Sequence, residues 1–515
     1  MSNTPIRYVD VAIIGAGTAG QTAFSQVNQA TDNIVIINDG YWTTTCATVG
    51  CMPSKLLIAA AERAHHACNS AKFGIYAQDV TTAINGQQVM QRVQAERDRF
   101  TGFIQDKIDG WETAKKISGR ASFTEQGLIT VNNELIKANY IIIATGTQPF
   151  VPDDWAESLG DTLLTSDTVF ELKNIPKSMA VIGAGAIGLE LAQAFNRLGC
   201  MVTLFNKSAR IGGLSDQKVT DKAIACLSNE LNMVLDADIM QVKEQQGQAI
   251  IYYKTDGSEQ TWQGDYVLVA TGRRHNLLSM QAQNIGIHFD ERNQPQDVNA
   301  STGQVKDSHV YIVGDANGHL PLLHVASNEG LQAGLHVKQR LTVDNQQNDS
   351  HLKSTIQSET TTQTESNNHQ DYRQSICYPK TPISVVFCEP QIASVGKSLQ
   401  QLDKTGANYV IGEVSFDDQG RSRVMGVNCG LLRIYACQHS SKILGASMIA
   451  PDAEYIAHIL ATAITNNLTV MDLLASPFYH PTILEGLRTA LRDIQQQMDN
   501  KLQQVSANER YNKHG

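Results

Sequence analysis

The chain has 515 residues, 42% hydrophobic and 18% charged, with a formal net charge of −10. That length exceeds what one hydrophobic core serves, so about two to four domains are expected. The negative balance, with no basic patch carrying interleaved aromatics, argues against nucleic acid as a partner.

The opening segment MSNTPIRYVDVAIIGAG lacks the charged n-region, apolar run and cleavage site of a secretory signal. No apolar run approaches the ~18–20 residues that cross a bilayer, so a cytoplasmic protein without a membrane span is expected. In YVDVAIIGAGTAGQTAF an apolar strand runs into Gly15, Gly17 and Gly20 and then a helix, and NIVIIND supplies the next strand. SMAVIGAGAIGLELAQAF repeats the pattern with Gly183, Gly185 and Gly188, followed by MVTLFN. One G-x-G-x-x-G is a weak sign, but two copies set in strand–turn–helix–strand context point to two dinucleotide-binding βαβ units. The first glycine allows the tight turn, the second lets the backbone approach a pyrophosphate, and the third lets helix pack on strand. The helix N-terminus then faces the phosphate charge.

Between the copies lies TTTCATVGCMPSKLL, with Cys46 and Cys51 five positions apart. By themselves they could be a structural disulfide, a metal clip or a redox pair. Two thiols without a second Cys/His pair make an incomplete metal site. The chain has nine cysteines, an odd number. A disulfide framework is therefore not expected, and most cysteines are read as small buried apolar residues.

NYIIIATGTQP and DYVLVATGRRH are apolar strands ending in Ala144-Thr145-Gly146 and Ala270-Thr271-Gly272, and HVYIVGDANGH delivers Gly314 and Asp315 to a strand's carboxyl end. In open α/β sheets ligands bind at those ends. Residues 344–375 are almost wholly polar and read as a disordered insertion or mobile loop. The remainder reads as strands and then a helix, a separate α+β domain, and closes on a polar terminal helix.

Two nucleotide folds, C-x₄-C, Gly314-Asp315 and FYHPTILEGLR near the end together resemble the flavoprotein disulfide reductases, over roughly residues 8–340 and 379–490. Cys46 lies 31 positions after Gly15, as in that family. The resemblance implies an α/β architecture: an FAD-binding domain at 1–150, an NAD(P)-binding domain at 151–275 and a return segment at 276–343. A polar insertion at 344–378, a C-terminal α+β dimerisation domain at 379–492 and a tail at 493–515 would follow.

Gly15, Gly17 and Gly20 would face the FAD pyrophosphate, with Ala144, Thr145, Gly146, Gly314 and Asp315 also at FAD. Asp39, or Asn38 beside it, would take the adenosine ribose. Gly183, Gly185, Gly188, Asn206, Lys207 and Gly272 would serve NAD(P). Cys46 and Cys51 would be the redox disulfide, Cys51 towards the flavin and Cys46 towards substrate. Cys51 precedes a helix with Pro53 in its first turn, where backbone N–H groups favour a thiolate. His480 would be the base, oriented by Glu485 and supplied by the partner of a homodimer, and Lys55 would pair with Glu190 beside the flavin and nicotinamide.

Within the family, CMPSK and HPTILE sit nearest the dihydrolipoamide dehydrogenase branch. The first helix offers Gln21, Thr22, Ser25 and Gln26, with no Arg for glutathione carboxylates. No cysteine follows Cys437, whereas mercuric reductases carry a C-terminal pair. Thr43 and Thr44 replace the family's two glycines. Asn206, Lys207 and Arg210 stand where NAD enzymes carry an acid, which leaves NADP open, although the branch leans to NAD. A small dithiol is the expected substrate. The alternatives are an NADPH-dependent reductase of another small disulfide and a non-catalytic subunit of a dehydrogenase complex. No lipoyl-like arm precedes the first fold, so association with a 2-oxoacid dehydrogenase complex has no support in the sequence.

Overall fold

A computed structural model describes residues 5–76, 83–353 and 381–514. The chain divides into two compact units, 1–53 with 95–148 and 273–378, and 54–94 with 149–272 and 379–515.

In the first unit the β-branched runs Ile6–Ile14 and Ile34–Asn38 form parallel central strands whose inner residues are buried on both faces. Glu134–Ile143 pairs parallel with Ile6–Ile14 on its other side, and Val310–Ile312 extends the sheet beyond it. Ile14 is level with Ile37 and with Ile143, and Ile143 with Ile312. That register sends Gly15, Asn38, Ala144 and Gly314 out from one edge.

The helix Thr18–Val27 packs on the long helix Leu323–Lys353. A Cβ on Gly330 would lie 2.2 Å from the Ala19 carbonyl oxygen, so the two backbones meet only because that side chain is absent. The long helix runs ten residues into the stretch read as an insertion, since each added residue of an established helix closes another backbone hydrogen bond. Residues 354–378 of that expected insertion lie outside the described residues.

In the second unit a parallel sheet has the order Asn232–Val234, Met201–Phe205, Ser178–Ile182, Tyr266–Val269, Leu163–Thr165. Leu57, Ile58 and Ala61 of the helix Cys51–Cys68 share a core with Met179, Val181 and Leu189 of that sheet and its helix. Residues 54–94 share the compact unit of the second nucleotide fold. Residues 383–450 form an antiparallel sheet with the order Ile383–Val386, Gln391–Gly396, Ile443–Ala450, Leu431–Cys437, Tyr409–Ser415. Leu487, Ala490, Leu491 and Ile494, at helical spacing, bury one face of the helix Leu484–His514 in that domain's core. The helix is thus continuous across the expected boundary at 492.

One expectation about cysteines is corrected. Cys226, in the helix Gln217–Leu227, is disulfide-bonded to Cys429 across a sequence separation of 203. The same helix is tied down at its N-cap, where the fully buried Asp216 accepts from Arg433 Nη1 at 2.6 Å and Tyr435 Oη at 2.7 Å. Burial as apolar residues describes Cys200 and Cys388, whose thiols burial pushes up to about 12, whereas Cys68 is exposed.

Candidate active site

The two glycine-rich turns are built alike. Gly15 and Gly183 both hold positive φ, 104° and 106°, which β-carbon sterics deny other residues. A Cβ on them would lie 2.3 Å from the Ala144 oxygen and 2.5 Å from the Ala270 oxygen. A Cβ on Gly20 or Gly188 would lie 1.8 Å from the Gly15 or Gly183 oxygen, whereas Gly17 and Gly185 face open space. The first and third glycines thus close the turn, and the middle one leaves room for a ligand.

Beside the first turn, the Thr145 hydroxyl is buried with no hydrogen-bond partner. Gly146 and Gly272 follow the paired strands at φ 59° and 125°. Gly314 and Asp315 leave the last strand of the first sheet, where Arg273 donates to Thr147 Oγ1 at 3.0 Å. Burial pushes the Asp315 carboxyl up, against the pull of Arg273. A cradle with an open middle glycine and an unpartnered hydroxyl fits the pyrophosphate end of a dinucleotide such as FAD. Asp39 is exposed just past the strand end. Glu329 escaped notice in the sequence. It is buried and accepts from the Gly314 N–H at 2.9 Å and from Asn317 Nδ2 at 2.7 Å, holding the Asp315 loop.

The cysteine loop shows what Thr43 and Thr44 do. Thr44 caps the short helix Thr45–Thr48 by accepting from the Ala47 N–H at 3.2 Å, and the Thr43 and Thr48 hydroxyls are 2.6 Å apart. Cys46 is half-buried inside this turn, and Cys51 is the exposed first residue of the helix Cys51–Cys68. Gly50 was also missed. A Cβ there would lie 2.9 Å from the Thr45 oxygen and 3.1 Å from Cys46 Cα, so glycine lets the chain fold back past the first cysteine. A glycine directly before the second cysteine was the available signal.

Lys55 and Glu190 come together across 135 positions, with Nζ 2.7 Å from Oε2. Glu190 is buried and also accepts from the Phe387 N–H at 2.9 Å, while Lys55 Nζ lies 4.5 Å from the Phe387 ring centroid. His480 Nδ1 is 3.0 Å from Glu485 Oε2. Because a carboxylate only accepts, Nδ1 carries the proton and Nε2 is left as the basic nitrogen. The hydrogen bond from His480, followed by that from the Thr482 N–H, holds the Glu485 carboxyl below its ordinary value. The His480 side chain is 79% exposed, so within this chain its Nε2 is open to a partner. Asn206, expected at NAD(P), bonds to the backbone on both sides of its amide. Its Oδ1 accepts from the Ala184 N–H at 3.0 Å, and its Nδ2 donates to the Ser208 and Arg210 carbonyls, each at 2.8 Å.

Two dinucleotide turns, a C-x₄-C loop opening a helix and a carboxylate-oriented histidine define the class, an oxidoreductase that couples thiols to nucleotide cofactors. Residues 9–330 match the model of the pyridine nucleotide-disulphide oxidoreductases, and residues 382–491 match the dimerisation domain of those enzymes. The chain belongs to this family, whose members use FAD and NAD(P).

It is 29% identical over 485 residues to a dihydrolipoyl dehydrogenase of Chlamydia pneumoniae, covering 92% of this chain and 95% of that protein. It is 27% identical over 487 residues to a mercuric reductase of Staphylococcus aureus, covering 93% and 81% respectively. The HOCl-induced flavoprotein disulfide reductase RclA of Escherichia coli shares the fold, with a TM-score of 0.69 at 21% identity over 94% of this chain and 99% of that one. LpdA of Mycobacterium tuberculosis does so with a TM-score of 0.72 at 19% identity, over the same shares. Among the described residues, no helix is long and apolar enough to cross a membrane, and no group of three or more His, Cys, Asp or Glu is arranged to hold a metal ion.

Proposed function

We propose that the chain oxidises a small dithiol by exchange with a Cys46–Cys51 disulfide, and that dihydrolipoamide is that dithiol. The observation that carries the reading is the His480–Glu485 pair, a base with its proton fixed on the far nitrogen. One substrate thiol gives its proton to His480 Nε2 of the partner subunit and attacks the Cys46 sulfur, releasing Cys51 as a thiolate. The second substrate thiol attacks the mixed disulfide, Cys46 leaves, and the substrate departs as a disulfide with the enzyme pair reduced. FAD, which the turn of Gly15, Gly17 and Gly20 with the Thr145 hydroxyl would hold, would supply a two-electron acceptor for the reduced cysteine pair. Glu190 fixes the Lys55 ammonium by a charged hydrogen bond, keeping one cation in a set position on the helix that Cys51 opens.

The dihydrolipoyl dehydrogenase relatives support dihydrolipoamide over other dithiols. A homodimer with shared sites and a cytoplasmic setting belong to the same reading.

The test is a steady-state assay crossing NAD and NADP with dihydrolipoamide, and NADH and NADPH with small disulfides. The expected result is saturable dihydrolipoamide oxidation with at least one nucleotide. No such turnover alongside rapid NADPH-driven reduction of another disulfide would replace this reading with its rival.

A further inference from the structure

We infer that the second nucleotide fold is built to hold a 2′-phosphorylated adenosine, so that the nucleotide taken is NADP(H). The inference deepens the proposed function and rests on its assignment of that fold to a nicotinamide nucleotide.

The two folds provide their own comparison, because matched residues lie 168 positions apart, Gly15 with Gly183 and Asn38 with Asn206. In the first fold Asn38 Oδ1 accepts from the Ala16 N–H at 2.9 Å and its Nδ2 donates to the Tyr41 carbonyl at 2.9 Å. Asn206 does the same work in the second, tying the glycine turn to the loop after the strand. Both of its amide N–H donors are committed to carbonyls, so it is a pin and not a ribose ligand. The residue that follows faces solvent in both folds. It is Asp39 in the first and Lys207 in the second.

A carboxylate at this place accepts from ribose hydroxyls and repels a phosphate, whereas a nearby cation accommodates the 2′-phosphate. The charge is therefore reversed between two otherwise matched positions. Arg210 adds a second exposed cation, and its own carbonyl is held by Asn206 Nδ2, so its backbone is fixed beside Lys207. Among the described residues no carboxylate forms an ion pair with Lys207 or Arg210. Their charge is left for a ligand, and an arginine fork suits a phosphate's oxygens. The open space at Gly185 places the pyrophosphate on the same edge of the sheet.

Calorimetric titration of the purified holoenzyme with 2′,5′-ADP and with 5′-AMP tests this without any turnover. The expected result is 2′,5′-ADP binding tighter by about 10-fold or more, as charged hydrogen bonds to one phosphate give. That lead should shrink as salt is raised. In Lys207→Gln/Arg210→Gln the lead should vanish while 5′-AMP binds as before. Equal affinities, tighter binding of 5′-AMP, or a lead that survives the double substitution would overturn the inference. Because the probes carry neither nicotinamide nor thiol, failure of dihydrolipoamide as substrate would leave this result standing, and the converse also holds.

Discussion

Cys46→Ser lowers dithiol turnover by about 10⁴-fold or more, the scale on which enzymes lose a nucleophile that acts as part of a unit. A serine oxygen cannot form or exchange a disulfide, so neither thiol of the substrate has a sulfur to attack. The loop itself should persist. Its shape is set by the Thr44 cap, the Thr43–Thr48 hydroxyl contact and the close passage of Gly50. The purified variant is therefore expected to keep its flavin absorbance and its thermal midpoint. His480→Gln should cost less, about 10²–10⁴-fold, because it removes a proton acceptor and leaves the sulfurs in place. Cys46→Ser turning over within ~10-fold of the parent would remove the exchange step from the account.

Arg197→Ala has the largest expected effect on stability, a loss of about 3–5 kcal/mol. The Arg197 side chain is only 5% exposed, with Nη2 2.9 Å from Glu230 Oε1 and Nη1 2.6 Å from Glu389 Oε2. Glu230 and Gln193 are also hydrogen-bonded, and His65 Nδ1 is 3.4 Å from Glu230 Oε2. Burial disfavours the Arg197 charge, but the hydrogen bond and charge of Glu230, then the charge of Glu389, outweigh it and raise the guanidinium above its ordinary value. Burial also pushes Glu389 up, and Arg197 more than reverses that, holding the carboxyl low. Burial and then the Arg197 charge lower His65 in the intact network, against the pull of Glu230 and Glu389.

Removing Arg197 thus strands two partly buried carboxylates. Chemical denaturation of the holoenzyme should show the loss, and adding Glu230→Gln should restore part of it by removing one stranded charge. A loss below ~1 kcal/mol would mean that the network is solvated like a surface pair.

Short-range patterns were the readable part of this chain. The glycines of each turn lie within six positions and the cysteine loop within one helical turn on either side, so their spacing was legible. Ala144 and Ala270, far along the chain, nonetheless press on the first glycine of each turn. Lys55 with Glu190, and His480 with Glu485, were named through a family resemblance. Isolated charges on helix faces carry no such information, and the structure supplied the distances.

What stayed hidden depended on distant partners. Nothing near Cys226 or Cys429 announces a bond across 203 residues. The grouping of residues 54–94 with the second fold follows from where the apolar face of one helix finds its core, and an amphipathic pattern does not name its partner. Asn206 was placed at the nucleotide by its strand-end position, while the direction of its amide became visible only once the Ala184, Ser208 and Arg210 backbones were around it.

The central claim is that Cys46 and Cys51 of one chain work with His480 of the other. Co-expression of Cys46→Ser and His480→Gln chains under different tags, with isolation of the doubly tagged dimer, tests it most directly. Each parent homodimer should be nearly inactive. The mixed dimer contains one site in which both partners are intact, so its dihydrolipoamide turnover should return to about half that of the unaltered dimer. A mixed dimer as inactive as its parents would place the cysteines and histidine of each site on a single chain and contradict the account.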